Sequence, residues 1–483
     1  MNTVKFFRSA VLLVSSLMLA AFAQAETALD RYLAKDDGKF DWEYVRTEDK
    51  GYYVGHEVLV TSQQWLTEKE TTRPLWQHDV MFYFPKKLAD KPYGKLAWRT
   101  DSAIVYVAGG THLRYSKFDD LFGKVAAKFN KIVIEVRQVP NEPWSYVVDG
   151  EGAKEMQEDN LVSRSFELFL DTGNEEWPLY LPMVKSVVKA MDASTEFLDE
   201  YHGLYVDRFS MVGGSKRGWT TWLTAAVDHR VQGIVPAVID VLDIDESLEN
   251  QYEAIGDYYP ILHTYTSKNL PCRFKTEDGQ KLLEIVDPIE YQDRMAGLPK
   301  FILNGTSDEF FQNTNSLNYW DQVSGPKNIR FVPNASHNLP EDAIMAGFAF
   351  ASKVLDRDGR RAAPHIFWEA DRENNVLTVY SSKIPMNVEF WTADNETLDY
   401  RLNVTGDEAW KSKTLRAKEM NIVFKDPDDD GRSKMYYAFS KPLDTPESGY
   451  RASLFSLDFG MQTFTTSIHM TPEAQPYSGL HCQ

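Results

Sequence analysis

The sequence predicts an α/β chain built on a doubly wound, mostly parallel sheet with a cap insertion, followed by an all-β sandwich. Three observations carry this. Continuous apolar runs alternate with helical patterns as far as about residue 360, which is how strands buried on both faces read. One run, Arg208 to Val212, passes through Gly213-Gly214-Ser215-Lys216-Arg217-Gly218 into a helical stretch, a strand–turn–helix unit. Beyond Pro364 the pattern changes to short alternating segments punctuated by turn residues, as in an antiparallel sandwich.

Residues 1–25 read as an export signal, outside the fold. Lys5 and Arg8 precede an apolar stretch from Ala10 to Phe22, and Ala23-Gln24-Ala25 supplies small residues for cleavage. The stretch is short for a membrane span, and no other candidate span follows. Strands are expected at 52–62 and 76–84, then at 102–108, where the apolar run ends in Gly109-Gly110-Thr111-His112. After a helical pattern, 131–136 is another buried-type strand. It stops at Pro140-Asn141-Glu142-Pro143, which continues neither helix nor strand.

A helix begins near Pro182, with Met183, Val184, Val187, Val188 and Met191 on one face. The 208–219 unit follows, then a strand at 233–239. From about 241 to 298 the pattern breaks into acidic and aromatic stretches, read as an insertion over the sheet's carboxyl edge. Strands at 300–304 and 328–332 complete the α/β part, which spans 26–361. The sandwich, 362–483, takes strands near 365–369, 376–381, 387–391, 433–439 and 453–459.

The chain of 483 residues is long for one core, so two domains are expected. Its net charge is −19, and loss of Lys5 and Arg8 makes it more negative. Such a surface repels nucleic acid and anionic membranes, so neither is an expected partner. Oligomeric state is not legible. Cys272 and Cys482 are the two cysteines, able to pair in an oxidising compartment or to remain free thiols. No metal site of the Cys/His type is spaced along the chain, and no cofactor is expected. The run Asp426-Pro427-Asp428-Asp429-Asp430-Gly431 has calcium-loop spacing, but Tyr437 stands where a bidentate glutamate belongs, so it reads as an acidic turn.

A serine hydroxyl is a weak nucleophile at neutral pH and needs a base, itself held by an acid. In α/β-hydrolases these groups follow strand ends in the order serine, acid, histidine. Ser215, Asp308 and His337 keep that order here. Glu309, Asp240 and Asp243 are rival acids, and His112 and His263 rival bases. The oxyanion hole needs two backbone N–H groups; Lys216 supplies one, and Gly110 or Thr111, after the 102–108 strand, the other. Gly109-Gly110 also reads as a plain tight turn.

Several motifs together resemble the PhoPQ-activated pathogenicity-related proteins. They are Val139-Pro140-Asn141-Glu142-Pro143, Trp177-Pro178 with Pro182-Met183-Val184-Lys185, the Gly213 to Trp219 turn, Ile285-Val286-Asp287-Pro288, Asn304 to Phe311, and Asn334-Ala335-Ser336-His337. The resemblance implies an exported α/β-hydrolase-like protein with an appended β domain, a triad on Ser215, Asp308 and His337, and a link to PhoP/PhoQ-regulated virulence and resistance to membrane-active peptides. It names no substrate. The functions expected are an exported serine hydrolase acting on a small-molecule ester or a peptide, or, alternatively, a binding or signalling protein on that scaffold.

Overall fold

The computed structural model describes residues 26–89, 101–113, 117–356, 363–427 and 431–482. The export segment and the centre of the acidic run, 428–430, lie outside these residues. The chain divides into two compact units, one ending at Asp36 and the other starting at Asp37. The first holds a helix, α1 (Ala28–Ala34), opened by a capping box in which Thr27 and Asp30 each bond the other's backbone N–H.

The second unit is organised by one long sheet. Its first strands are β1 (Asp41–Asp49), β2 (Tyr53–Gln64), β3 (Leu75–Pro85), β4 (Ser102–Val107) and β5 (Ile132–Val136). They are followed by β6 (Arg208–Gly214), β7 (Val231–Ala237), β8 (Lys300–Gly305) and β9 (Lys327–Val332). The spatial order is β1-β2-β3-β5-β4-β6-β7-β8-β9. From β5 to β9 every neighbouring pair is parallel, while β1, β2 and β3 run antiparallel at one end. The apolar runs fall where burial is complete: all of β5 and β8 is buried. β1 carries no such signal because its residues are mostly exposed at the sheet's edge.

Helices cover both faces. α2 (Asp120–Phe129) packs on β3 and β5. After α3 (Asp159–Thr172), α4 (Tyr180–His202) packs on β2, and α5 (Lys216–Val227) on β6 and β7. The insertion between β7 and β8 is helical: α6 (Ile244–Ile255), α7 (Leu270–Phe274) and α8 (Glu277–Val286), with α7 and α8 against α3. α9 (Glu341–Val354), on the opposite face from α5, packs on β6, β7 and β8.

The C-terminal residues form antiparallel β structure. A four-stranded sheet runs β10 (Ile366–Asp371), β11 (Val376–Ser381), β15 (Lys434–Pro442), β14 (Asn421–Lys425). The remaining strands, β12 (Asn387–Asn395), β13 (Lys411–Thr414), β16 (Tyr450–Asp458), β17 (Thr463–Thr465) and β18 (His469–Thr471), join the central sheet, because Thr465 of β17 pairs with Ile329 of β9. The core is continuous across this seam: the rings of Phe301 and Phe464 meet edge to face at 4.9 Å.

Cys272 in α7 is bonded to Cys482, 210 residues away. The tail leading to Cys482 lies along α6. Gln475 Nε2 donates to Asn250 Oδ1 at 3.0 Å, and Tyr477 N–H donates to the Glu253 carbonyl at 3.1 Å.

Candidate active site

The turn between β6 and α5 sets Ser215 apart from its neighbours. Its φ of 55° and ψ of −132° lie in a region that side-chain-bearing residues rarely occupy. Contacts on both sides over-determine it. Ser215 N–H donates to the Ala237 carbonyl at 2.8 Å, and its own carbonyl accepts from Trp219 N–H at 3.0 Å. The turn also needs glycine at two places. A Cβ on Gly213 would stand 2.4 Å from the Arg217 carbonyl oxygen, and one on Gly218 2.9 Å from that of Gly213. Gly218 lies three residues after the serine rather than two, and this mutual contact explains the spacing.

β8 and β9 supply the other two groups. Gly305 ends β8, and a Cβ there would lie 2.4 Å from the carbonyl oxygens of Ala335 and Ser336. Its absence lets the loop after β9 close over the end of β8. His337 Nδ1 and Asp308 Oδ2 are 2.8 Å apart in consequence. The carboxylate can only accept, so Nδ1 carries the proton, and in the neutral ring Nε2 keeps its lone pair. The second oxygen of Asp308 accepts from Phe310 N–H at 2.8 Å, and the Phe310 ring centre lies 4.3 Å from that of the imidazole. Glu309 Oε2 accepts His337's backbone N–H at 2.8 Å.

Asp240, Asp243, His112 and His263 have other surroundings. Asp240 is buried and accepts from the Tyr319 hydroxyl. Burial, reinforced by the charge of Asp308, pushes its carboxyl up to about 7. Asp243 accepts from Gln322 at 2.8 Å. His112 faces the Glu142 carbonyl, with Nδ1 at 3.2 Å, and His263 sits exposed in the insertion. His337 has a ring nitrogen bonded to a carboxylate, and among the described residues neither His112 nor His263 does.

The loop after β4 runs beside the serine turn. Gly109 passes directly over Arg217: a Cβ on it would lie 2.4 Å from the guanidinium. Gly110 follows with φ 111°. Among the described residues neither Gly110 nor Thr111 donates its N–H to another group, and Lys216 N–H, at the first helical position, lacks an intrahelical acceptor. No hydrogen bond joins the Ser215 hydroxyl to His337 among the described residues.

Charged groups that only folding brings together lie behind this turn. The Glu158 carboxylate takes two bonds from Arg217, at 2.8 and 2.9 Å, and one from Lys216 Nζ at 2.5 Å. Glu142 Oε2 accepts Glu158 N–H at 2.7 Å. The two carboxyls titrate in opposite directions. Burial and the neighbouring Glu158 charge push Glu142 up to about 7. Burial also raises Glu158, but its bonds and charge contacts with Arg217 and Lys216 outweigh that and hold it well below the usual carboxylate range. The Val139 to Pro143 and Gly213 to Trp219 motifs carry Glu142, Lys216 and Arg217, whereas Glu158 stands in none of the motifs.

Sheet order, helices on both faces and a serine at the β6 turn define an α/β-hydrolase scaffold with a C-terminal antiparallel β region. The chain belongs to the PhoPQ-activated pathogenicity-related protein family, whose model matches residues 29–401. It is 28% identical over 496 aligned residues to autocrine proliferation repressor protein A of Dictyostelium discoideum, covering 97% of this chain and 94% of that one. Among solved structures, acetyl xylan esterase 1 from Thermoanaerobacterium sp. JW/SL YS485 aligns with TM-score 0.45 and 12% identity, over 68% of this chain and 93% of that one. The glucuronoyl esterase from Solibacter usitatus aligns with TM-score 0.41 and 12% identity, over 68% and 91%. Among the described residues no helix is long and apolar enough to cross a membrane.

Proposed function

We propose that this protein is an exported serine hydrolase acting by acyl transfer on an ester or amide. Ser215 is the nucleophile, His337 the base and then the acid, and Asp308 the group that fixes the imidazole's tautomer. The hydrogen bond from His337 Nδ1 to Asp308 Oδ2, at 2.8 Å, is the observation that carries the reading. It leaves Nε2 free to accept a proton. As Ser215 Oγ attacks the carbonyl carbon, its proton passes to Nε2 and the carbonyl electron pair moves onto oxygen. The N–H groups of Lys216 and of Gly110 or Thr111 meet that charge. Collapse expels the alcohol or amine, which takes the proton from His337 and leaves an acyl group on Ser215. Water, deprotonated by His337, attacks the acyl-enzyme; on collapse Ser215 Oγ leaves with the proton and the acid is released.

Export is supported by the apolar leader at 1–25 and by a Cys272–Cys482 disulfide, which persists in oxidising compartments. Turnover of small activated esters and of a peptide library by purified protein, with Ser215→Ala beside it, tests the reading. The reading expects hydrolysis by wild type and none above background by the variant. Equal rates in the two, or no turnover by wild type, would remove it.

The name of the Dictyostelium discoideum relative, an autocrine proliferation repressor, favours a second reading: a signalling protein on a hydrolase scaffold. Under it, Ser215→Ala keeps any effect of the wild-type protein on cell proliferation, whereas the catalytic reading expects that effect to disappear with hydrolysis.

A further inference from the structure

Glu158 has φ 53° and ψ −130°, nearly the backbone conformation of Ser215, and it too carries a side chain there. Such strain persists only where the surroundings hold it. What holds Glu158 leads toward the serine turn. Its carboxylate binds the side chains of Lys216 and Arg217, the two residues directly after Ser215. Its N–H is bound by Glu142, whose own carbonyl accepts His112 N–H at 2.5 Å. Arg217 Nε is further fixed to the Val139 carbonyl at 2.6 Å, and its guanidinium lies under Gly109.

Glu158 therefore stands at the centre of a short chain of bonds: its carboxylate holds the start of α5, its N–H reaches Glu142 in the loop at 139–143, and the Glu142 carbonyl holds the loop at 109–112. These segments carry the N–H groups of Lys216, Gly110 and Thr111. An oxyanion hole works only if its donors converge on one point before the charge develops, because reorganisation in the transition state cancels the gain.

We propose that Glu158 is a positioning residue for the oxyanion hole, setting the spacing between the Lys216 N–H and those of Gly110 and Thr111 through its grip on Lys216 and Arg217. The proposal rests on the hydrolase reading above. Asp159 does not duplicate the role: it lies 3.4 Å from Lys216 Nζ and otherwise accepts from the Tyr265 hydroxyl at 2.9 Å.

The test compares wild type, Glu158→Gln and Glu158→Asp on one activated ester. It records kcat and KM separately, the rate of fluorophosphonate labelling and the thermal midpoint. Donor misplacement acts on the transition state, so kcat and the labelling rate should fall roughly 10- to 100-fold in Glu158→Gln with KM within about twofold. Glu158→Asp, which keeps the charge on a shorter stem, should recover part of the loss. Active wild type with unchanged kcat in folded Glu158→Gln overturns the proposal and leaves the hydrolase reading standing. Wild type that neither labels nor turns over overturns both. If Glu158→Gln does not fold, folded Glu158→Asp decides: a severalfold lower kcat supports the proposal, and wild-type kcat overturns it.

Discussion

Asp308 and His337, each just past the carboxyl end of a neighbouring parallel strand, meet through an Oδ2–Nδ1 hydrogen bond of 2.8 Å. The acid is buried and the imidazole half-buried against Phe310, so water competes weakly for the bond. Their juxtaposition depends on Gly305, where any side chain would collide with the loop that carries His337.

Asp308→Asn should hold the ring in the wrong tautomer while keeping the shape. The expected loss in kcat is about 10³-fold or more. Asp240→Asn, at the buried carboxyl that bonds Tyr319, should leave kcat/KM within about threefold. Steady-state kinetics on one activated ester decide between them. A larger loss from Asp240→Asn would move the acid role to Asp240.

The glycines of the serine turn should differ sharply in tolerance. Gly213→Ala places a Cβ 2.4 Å from a backbone carbonyl that cannot swing away, so a loss of at least about 2 kcal/mol is expected. Gly214→Ala meets nothing closer than 3.9 Å and should stay within about 1 kcal/mol of wild type. Urea denaturation curves of the two variants provide the comparison.

Cys272→Ser should lower stability by about 2–4 kcal/mol, since the bond closes a 210-residue loop. It should also free the tail, where the Tyr477 ring fills the space that a side chain on Gly256 would need. Unfolding with and without reductant is the measurement. Wild type under reductant should match the variant.

Glu142 gives a pH signature. Its folded value, pushed up to about 7 by burial and Glu158, exceeds that of an unfolded glutamate. The folded state thus holds a proton that the unfolded chain has released. The resulting stabilisation is complete below the ordinary carboxylate range and lost as pH rises through about 7. Arg217 at the start of α5 and the His112 backbone in the loop at 109–112 face the same residue. Glu142→Gln stays neutral, so it should gain stability relative to wild type between pH 5 and pH 8. A difference that is flat with pH would refute the assignment.

Much of the fold and of the candidate site is legible because the signals are local. Apolar runs mark β4, β5 and β8, and Ser215, Asp308 and His337 each follow a strand in the order that an α/β-hydrolase requires. Glycine spacing around Ser215 looked irregular until the contact between Gly213 and Gly218 gave it a reason. What stayed hidden depends on distance along the chain. Glu158 is an ordinary glutamate in sequence, and only folding sets it and Glu142 against Arg217. The pairing of Thr465 with Ile329, which joins C-terminal strands to the central sheet, leaves no periodic trace. The edge strand β1 buries too little to show an alternation.

The central claim is that Ser215 is a nucleophile activated by His337. Treating the intact protein with a fluorophosphonate and mapping the adduct by peptide mass spectrometry tests it most directly. The account predicts one adduct, on Ser215, lost in Ser215→Ala and strongly slowed in folded His337→Ala. No adduct, or an adduct on another residue that persists in Ser215→Ala, would contradict it.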